Sequence, residues 1–332
     1  MIGSLSQEND VVKWLLSEII NYHTEGKPVI GKYSRWWASK TRLHKLIFSI
    51  IEEFDLNVTR SLYMWGGFVH SDILGEQFSH YRSYYHAHPD SVERNREKVK
   101  KLDISVEGIL EYLIKNESTA MKLDSINELQ YYYIKNIPEQ YNSLYTSKQF
   151  ITVDLSQLAN YANLIDPINF FSLCDNLINN FSTYHISSIN LIEDNQLIDT
   201  NYAFTDLIES SLEKIKYLIY NEDKIKKGVP RFYKNADNFF NNFAWKPYAC
   251  KVSQETVKGF RSEAEKIKMG KIENSTIIKG TNEILTLKEL NEKNQLFMNW
   301  SEYQFIKSKE EHEDYKDTIN EIIKLYQKSD SE

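Results

Sequence analysis

The chain has 332 residues, 41% of them hydrophobic and 26% charged, with a net charge of −7. That length suits two domains or one large helical domain, and that balance excludes a disordered chain. The acidic total gives no overall attraction to nucleic acid or acidic lipid, and no apolar run approaches the roughly 20 residues of a membrane span.

Only 11 glycines and 6 prolines punctuate the sequence, which favours long helices over a many-turned β architecture. With 22 tyrosines and 16 phenylalanines, an aromatic core is expected. Cys174 and Cys250 form no metal-type pair and give no sign of an oxidising compartment. Lys13 and Glu18 interrupt the apolar run Val11–Ile20, so it does not read as a signal peptide. The expected location is cytoplasmic.

Taken in order, residues 9–22 show helical spacing, with Val11, Val12, Leu15, Leu16, Ile19 and Ile20 on one face. Gly26, Pro28 and Gly31 predict a loop over 24–40 that carries Trp36 and Trp37. A second helix is predicted over 39–54, with a stripe from Leu43 to Phe54. Residues 57–69 are β-prone, and Gly66-Gly67 reads as their turn or hinge. A helix over 71–85 should follow. Residues 86–101, with Pro89 and five basic residues, read as a connector helix or link and as a domain boundary. Beyond it, helices are predicted at about 104–115, 119–136, 138–146, 154–164, 166–181, 185–195, 201–221, 232–244, 253–269, 286–306 and 308–328. Asp166-Pro167 marks a helix start. Lys226–Pro230 reads as a helix stop, and Gly270–Thr281 as a small hairpin or loop. The fold class is therefore mainly α. A helical N-terminal domain over 1–100, with a small β or winged element, precedes a larger multi-helix domain over 101–332.

Three constellations could carry chemistry. Lys27, Lys32, Arg35, Lys40, Arg42 and Lys45 stand in a run with no acid, together with Trp36 and Trp37. Lysine and arginine neutralise phosphates and an exposed tryptophan stacks on a base, so these eight residues are the candidate nucleic-acid face. The alternative is that the tryptophans anchor the core and the lysines are solvated. Second, His80, His86 and His88 lie within nine residues, and His-x-His suits a metal in an extended segment. No carboxylate stands at a spacing that completes a known site, and histidines at a helix end are more often solvated. Third, Gly66-Gly67 could expose backbone N–H groups to a phosphate, but it lacks the remaining signature of a phosphate loop. No nucleophile elbow, Ser/His/Asp set, kinase set or acidic nuclease signature stands at recognisable spacing. No cofactor is expected.

Leu43-His-Lys-Leu-Ile-Phe48, followed by Tyr63-Met-Trp-Gly-Gly-Phe-Val-His-Ser-Asp-Ile-Leu74, resembles the Panacea antitoxin domain. The resemblance covers residues 40–74. It departs where that family has Pro after the first Gly, because Gly67 stands there. The resemblance implies a compact helical domain used in protein neutralisation or defence-linked regulation, with no catalytic residues to carry over.

These readings converge on a non-enzymatic accessory or regulatory subunit in a prokaryotic defence or toxin-control system, for example a helper of a nucleic-acid-guided effector. It would bind a protein partner and, through its basic face, nucleic acid. The alternatives are a DNA-binding transcriptional regulator, with the helix at 39–54 or 71–85 in a groove, and a metal-dependent hydrolase using His80, His86 and His88. The oligomeric state is left open.

Overall fold

Helical hydrophobic period governs most of the chain, and the computed structural model is mainly α with one small hairpin. It describes residues 2–24, 39–75, 91–120, 136–160, 167–220 and 228–293. In chain order the elements are α1 (Leu5–Thr24), α2 (Lys40–Glu53), β1 (Arg60–Tyr63), β2 (Gly66–Val69), α3 (Ser91–Lys100), α4 (Val106–Ala120) and α5 (Glu139–Asn160). There follow α6 (Pro167–Ser188), α7 (Asn195–Tyr220), α8 (Gly228–Phe239), a π-helical turn (Phe240–Ala244), α9 (Lys246–Thr256) and α10 (Ser262–Lys293).

Helix α2 sits at the centre of the N-terminal part. Ser39 caps it, its hydroxyl accepting the Arg42 N–H at 3.3 Å. Every residue from Arg42 to Ile51 is buried, so the helix is enclosed on all sides rather than along a stripe. α1, α4 and the hairpin enclose it, and α3 packs along α1. Arg96 of α3 grips Glu18 of α1 through both Nε (2.6 Å) and Nη2 (2.9 Å).

The hairpin is antiparallel, with Arg60 opposite Val69 and Tyr63 opposite Gly66. The expected β segment is present, but Gly66-Gly67 is not its turn. Met64 and Trp65 turn, and the glycines belong to β2. Gly66 takes φ +90°, a conformation that L side chains rarely adopt. At Gly67 a Cβ would lie 2.6 Å from Phe48 Cδ1, so this glycine lets the strand lie directly on α2.

Five other expectations are corrected. The helix predicted at 253–269 is instead the end of α9, a break with extended Val257, positive-φ Gly259 and the Lys258–Arg60 bridge, and the start of α10. The predicted helices at 138–146 and 154–164 fall in α5, which runs unbroken over 22 residues to Asn160; residues 161–164 lie outside the described residues. The predicted helix at 185–195 is instead the end of α6, a turn and the start of α7. Gly228–Pro230 opens α8 instead of stopping a helix, consistent with the tolerance of proline in a first helical turn. Gly270–Thr281, expected as a hairpin or loop, lies inside the 32-residue α10. Met269, Thr276, Ile277, Gly280, Ile284 and Leu287 are buried there at helical spacing. Gly280 faces Phe243 Cβ and Thr200 Cγ2, which a Cβ would meet at 3.5 and 3.8 Å. That glycine serves a close helix approach, not a turn.

One hydrophobic core runs from Ile2 to Leu287, so residues on both sides of the expected 100/101 boundary share it. Trp245 joins the two parts. It is fully buried, its indole N–H donates to the Met64 carbonyl at 2.9 Å, and its ring meets Tyr145 at 5.1 Å. No helix among the described residues is long and apolar enough to cross a membrane.

The Gly67 contact makes a direct test. We expect Gly67→Ala to lower the unfolding free energy by about 1–3 kcal/mol, the cost of overpacking a filled core. Urea denaturation checks it, and adding Phe48→Leu should recover part of the loss.

Candidate functional site

Two regions concentrate functional side chains. The first is an interior charge network tying the hairpin to both ends of the described chain. Glu8 of α1 is fully buried. One carboxylate oxygen accepts the Thr59 backbone N–H, and the other lies 2.8 Å from Arg261 Nε. Arg261 also donates to the His70 carbonyl and, through Nη1, to Glu265 at 3.2 Å. Its own backbone N–H donates to Thr59 Oγ1 at 2.9 Å. His70 Nδ1 is 3.1 Å from Glu265 Oε2, and His70 Nε2 is 2.8 Å from Ser61 Oγ. His70, 3.1 Å away, is the main cause that holds the Glu265 carboxyl down at about 2; burial opposes it, and the charges of Lys268 and Arg261 add to it.

Ser61, His70 and Glu265 thus lie together, but only the Ser61–His70 contact has hydrogen-bond geometry, so the serine–histidine–carboxylate arrangement by which acyl-transfer enzymes activate a hydroxyl is incomplete here. Here Ser61 has no exposed surface, and its hydroxyl is also shared with Ser253 at 2.7 Å. A carbonyl substrate has no approach to it. These contacts tie β1, the residue after β2, α9 and α10 together.

A second buried group lies on α2. Arg42 Nη2 is 2.7 Å from Glu117 Oε1, and His23 Nε2 contacts the other oxygen. Burial pushes the Glu117 carboxyl up, but the His23 hydrogen bond and the Arg42 guanidinium outweigh it and hold it below its ordinary value. Burial also drives His44 down to about 3, aided by the charge of Lys40, so its imidazole is neutral. Lys45 donates to the Trp65 carbonyl. Lys148 places its Nζ 2.8 Å from the Trp65 ring centroid inside the core, with no hydrogen-bond partner among the described residues. Burial, then the neighbouring Lys45 charge, push that ammonium well below the ordinary lysine range, while Asp237 pulls the other way.

The sequence-predicted residues therefore divide. Lys27, Lys32, Arg35, Trp36 and Trp37 lie outside the described residues, as do His80, His86 and His88. Lys40 is exposed, its Nζ 3.3 Å from the Gly75 carbonyl. Arg42 and Lys45 are interior groups with partners on Glu117 and Trp65, so neither contributes to an exposed basic face. Among the described residues no three His, Cys, Asp or Glu side chains converge on a metal-sized site. Both cysteines are buried, with their thiols pushed up to about 12 by burial.

The second region is an open groove of about 520 Å³ between α8 with its π-turn and α10. One wall carries Asn235, Asn238 and Asn242, with Phe239 and Phe243 beneath them. The facing wall carries Glu283, Thr286, Leu287, Glu289 and Leu290. The π-turn closes with the Trp245 N–H on the Phe240 carbonyl at 2.8 Å, five residues back. Pro247 explains it. A proline there has no N–H for the Phe243 carbonyl, and its ring would clash with that carbonyl in a regular helix. The widened turn sets Phe239 and Phe243 side by side, rings 5.7 Å apart. At Gly280 α10 touches the π-turn, and beyond that contact the groove opens.

Sequence reasoning missed both regions. The stretch Asn235-Ala-Asp-Asn-Phe-Phe-Asn-Asn-Phe243 already places carboxamides and aromatics at i, i+3/i+4 and i+7 spacing, which was a usable signal. Nothing local marks Glu8 as the partner of Arg261, 253 positions away.

The depressed carboxyls set the pH dependence. A group whose folded value lies below its unfolded value contributes stability above the unfolded value, and that stability is lost as pH falls towards the folded one. Glu265 moves from an ordinary 4.5 to about 2, so its contribution fades between those limits. We expect Glu265→Gln to be less stable than the parent at pH 7, with the gap shrinking as pH falls from about 5 to about 2.5. Urea midpoints measured across that range check it.

No curated protein and no solved structure matches the chain. The model of the family described as Domain of unknown function (DUF8098) matches residues 1–119 and 76–330, and the chain belongs to that family.

Proposed function

We propose that this protein is a non-enzymatic accessory or regulatory subunit that binds a protein partner through the groove between α8, its π-turn and α10. The carrying observation is the contrast between its two regions. Glu8, Arg42 and Glu117 are held in interior pairs, whereas the groove among the described residues is lined by carboxamides, aromatic and aliphatic side chains with no nucleophile–base pair. An apolar floor edged by polar groups is a recognition surface. The burial of Arg42 and Lys45 favours a protein over nucleic acid, because it removes two of the cations expected to meet phosphates. The Panacea resemblance of residues 40–74 supplies the setting, a prokaryotic defence or toxin-control system.

Quantitative affinity purification from the native host tests this reading. The parent protein should retain one dominant protein at near-equal amount. Thr286 is exposed on the groove wall, so Thr286→Arg fills the groove without touching the core. We expect it to cut that recovery roughly tenfold while the circular dichroism spectrum stays unchanged. Equal recovery with both proteins, or no stoichiometric partner at all, overturns the reading.

A further inference from the structure

The amine of Lys148 is buried without the partners a charge needs. The residue has no exposed surface, and its Nζ has no hydrogen-bond partner. Two charged groups act on it among the described residues. Lys45 of α2 disfavours a proton there, and Asp237 of α8 favours one. The Asp237 carboxylate is already engaged by Asn241 Nδ2 at 2.8 Å. An ammonium in this place would exchange its water shell for one ring face and a neighbouring cation, so the closed structure suits the neutral amine.

The tip of the hairpin lies over that amine. The Trp65 ring stands above Nζ, yet Trp65 itself is only half-buried. Three successive carbonyls of the tip are held from three other elements. Tyr63 accepts the Tyr145 hydroxyl of α5 at 3.0 Å, Met64 accepts the Trp245 indole at 2.9 Å, and Trp65 accepts Lys45 of α2. The Tyr63 hydroxyl shares a further hydrogen bond with the Cys250 thiol of α9. The tip is therefore a short segment pinned by separate hydrogen bonds, with Gly66 at φ +90° beside it.

We propose that the hairpin tip is a proton-operated lid: residues 63–66 cover Lys148 while its amine is neutral, and lift when the amine takes a proton from solvent, uncovering Cys250 and freeing Trp245 from the Met64 carbonyl. The proton binds the Nζ lone pair, and no other covalent bond changes. Burial and Lys45 hold the closed amine well below the ordinary lysine range, and opening returns it towards about 10.4. Between those limits the open state binds one more proton, so each unit fall in pH raises the open-to-closed ratio by up to about tenfold. The other titratable groups at the tip act elsewhere. Tyr63 and Cys250, both pushed up by burial, favour opening only towards alkaline pH, and Asp237, raised from 3.8 by burial, changes charge on the acid side.

Thiol labelling of the full chain tests this, with Cys250 and Cys174 read separately by peptide mass spectrometry. Each rate is divided by that of a short peptide carrying the same cysteine at the same pH, which removes the chemistry of the thiol itself. From about pH 8.5 to about pH 6.5 the normalised Cys250 rate should rise at least roughly tenfold in the parent. Lys148→Met, which keeps the bulk and removes the ionisable amine, should flatten that rise. Trp65→Ala lets water reach the amine in the closed state, so its Cys250 rate should be high at about pH 8.5 and lack the rise. Cys174 lies on α6, away from the tip, and reports global unfolding; at about pH 6.5 it should be labelled at least roughly tenfold more slowly than Cys250. A flat Cys250 rate in the parent, an equal rise in Lys148→Met, a rise retained in Trp65→Ala, or equal labelling of the two cysteines each overturns the inference.

Discussion

Glu8 is a carboxylate cut off from water, and the N-terminal part of the molecule is arranged around satisfying it. An unpaired charge in that position is costly, and removing one partner of a buried pair typically costs about 3–5 kcal/mol. Two elements remote in sequence meet the demand, the Thr59 backbone N–H and the Arg261 guanidinium. Because Arg261 also holds the His70 carbonyl and Glu265, one side chain fixes α1, the hairpin and the start of α10 relative to one another. Gly259, at φ +104°, lets the chain pass against Val58 and Thr59 just before Arg261. The short pairing of Arg60 with Lys258, with backbone bonds of 3.0 and 2.9 Å in the two directions, continues the same seam.

That seam positions the groove indirectly. It anchors the N-terminal end of α10, and the helix then runs 32 residues to the groove wall. At the other wall, Trp245 ties the π-turn to the hairpin through the Met64 carbonyl. Both walls are thereby referenced to the same two-stranded element. The groove's outline is a property of rigid helices and one widened turn. The aromatic floor continues inward, with Phe239 5.0 Å from Phe204 and Phe240 packed between Phe204 and Tyr184.

Interior ionisable groups look alike in sequence to surface ones, and here they changed the meaning of the basic run. Arg42 and Lys45 sit at the start of an amphipathic helix, where solvation is the ordinary outcome. Their burial follows from Glu117 and the Trp65 carbonyl, neither close in sequence. The same holds for the enclosed serine, histidine and glutamate. Ser61, His70 and Glu265 come from three elements, and their spacing carries no signature. Geometry brings the three together, and burial encloses Ser61 and His70.

The sequence alone determined what local period and composition can encode: a mainly helical chain, the presence of α1, the extent of α2, the β character of 57–69, and an aromatic core. Its errors fell where glycine and proline have two physical uses. Gly67, Gly280 and Pro230 read as breaks because turns favour such residues, yet here they serve close packing or a helix start. Tertiary structure alone decided which charges are buried, which helix faces approach at Gly280, and that the π-turn before Pro247 opens a groove opposite Glu283. These outcomes depend on contacts between residues up to 253 positions apart, and a pattern read along the chain carries no information about which distant partner satisfies a buried charge.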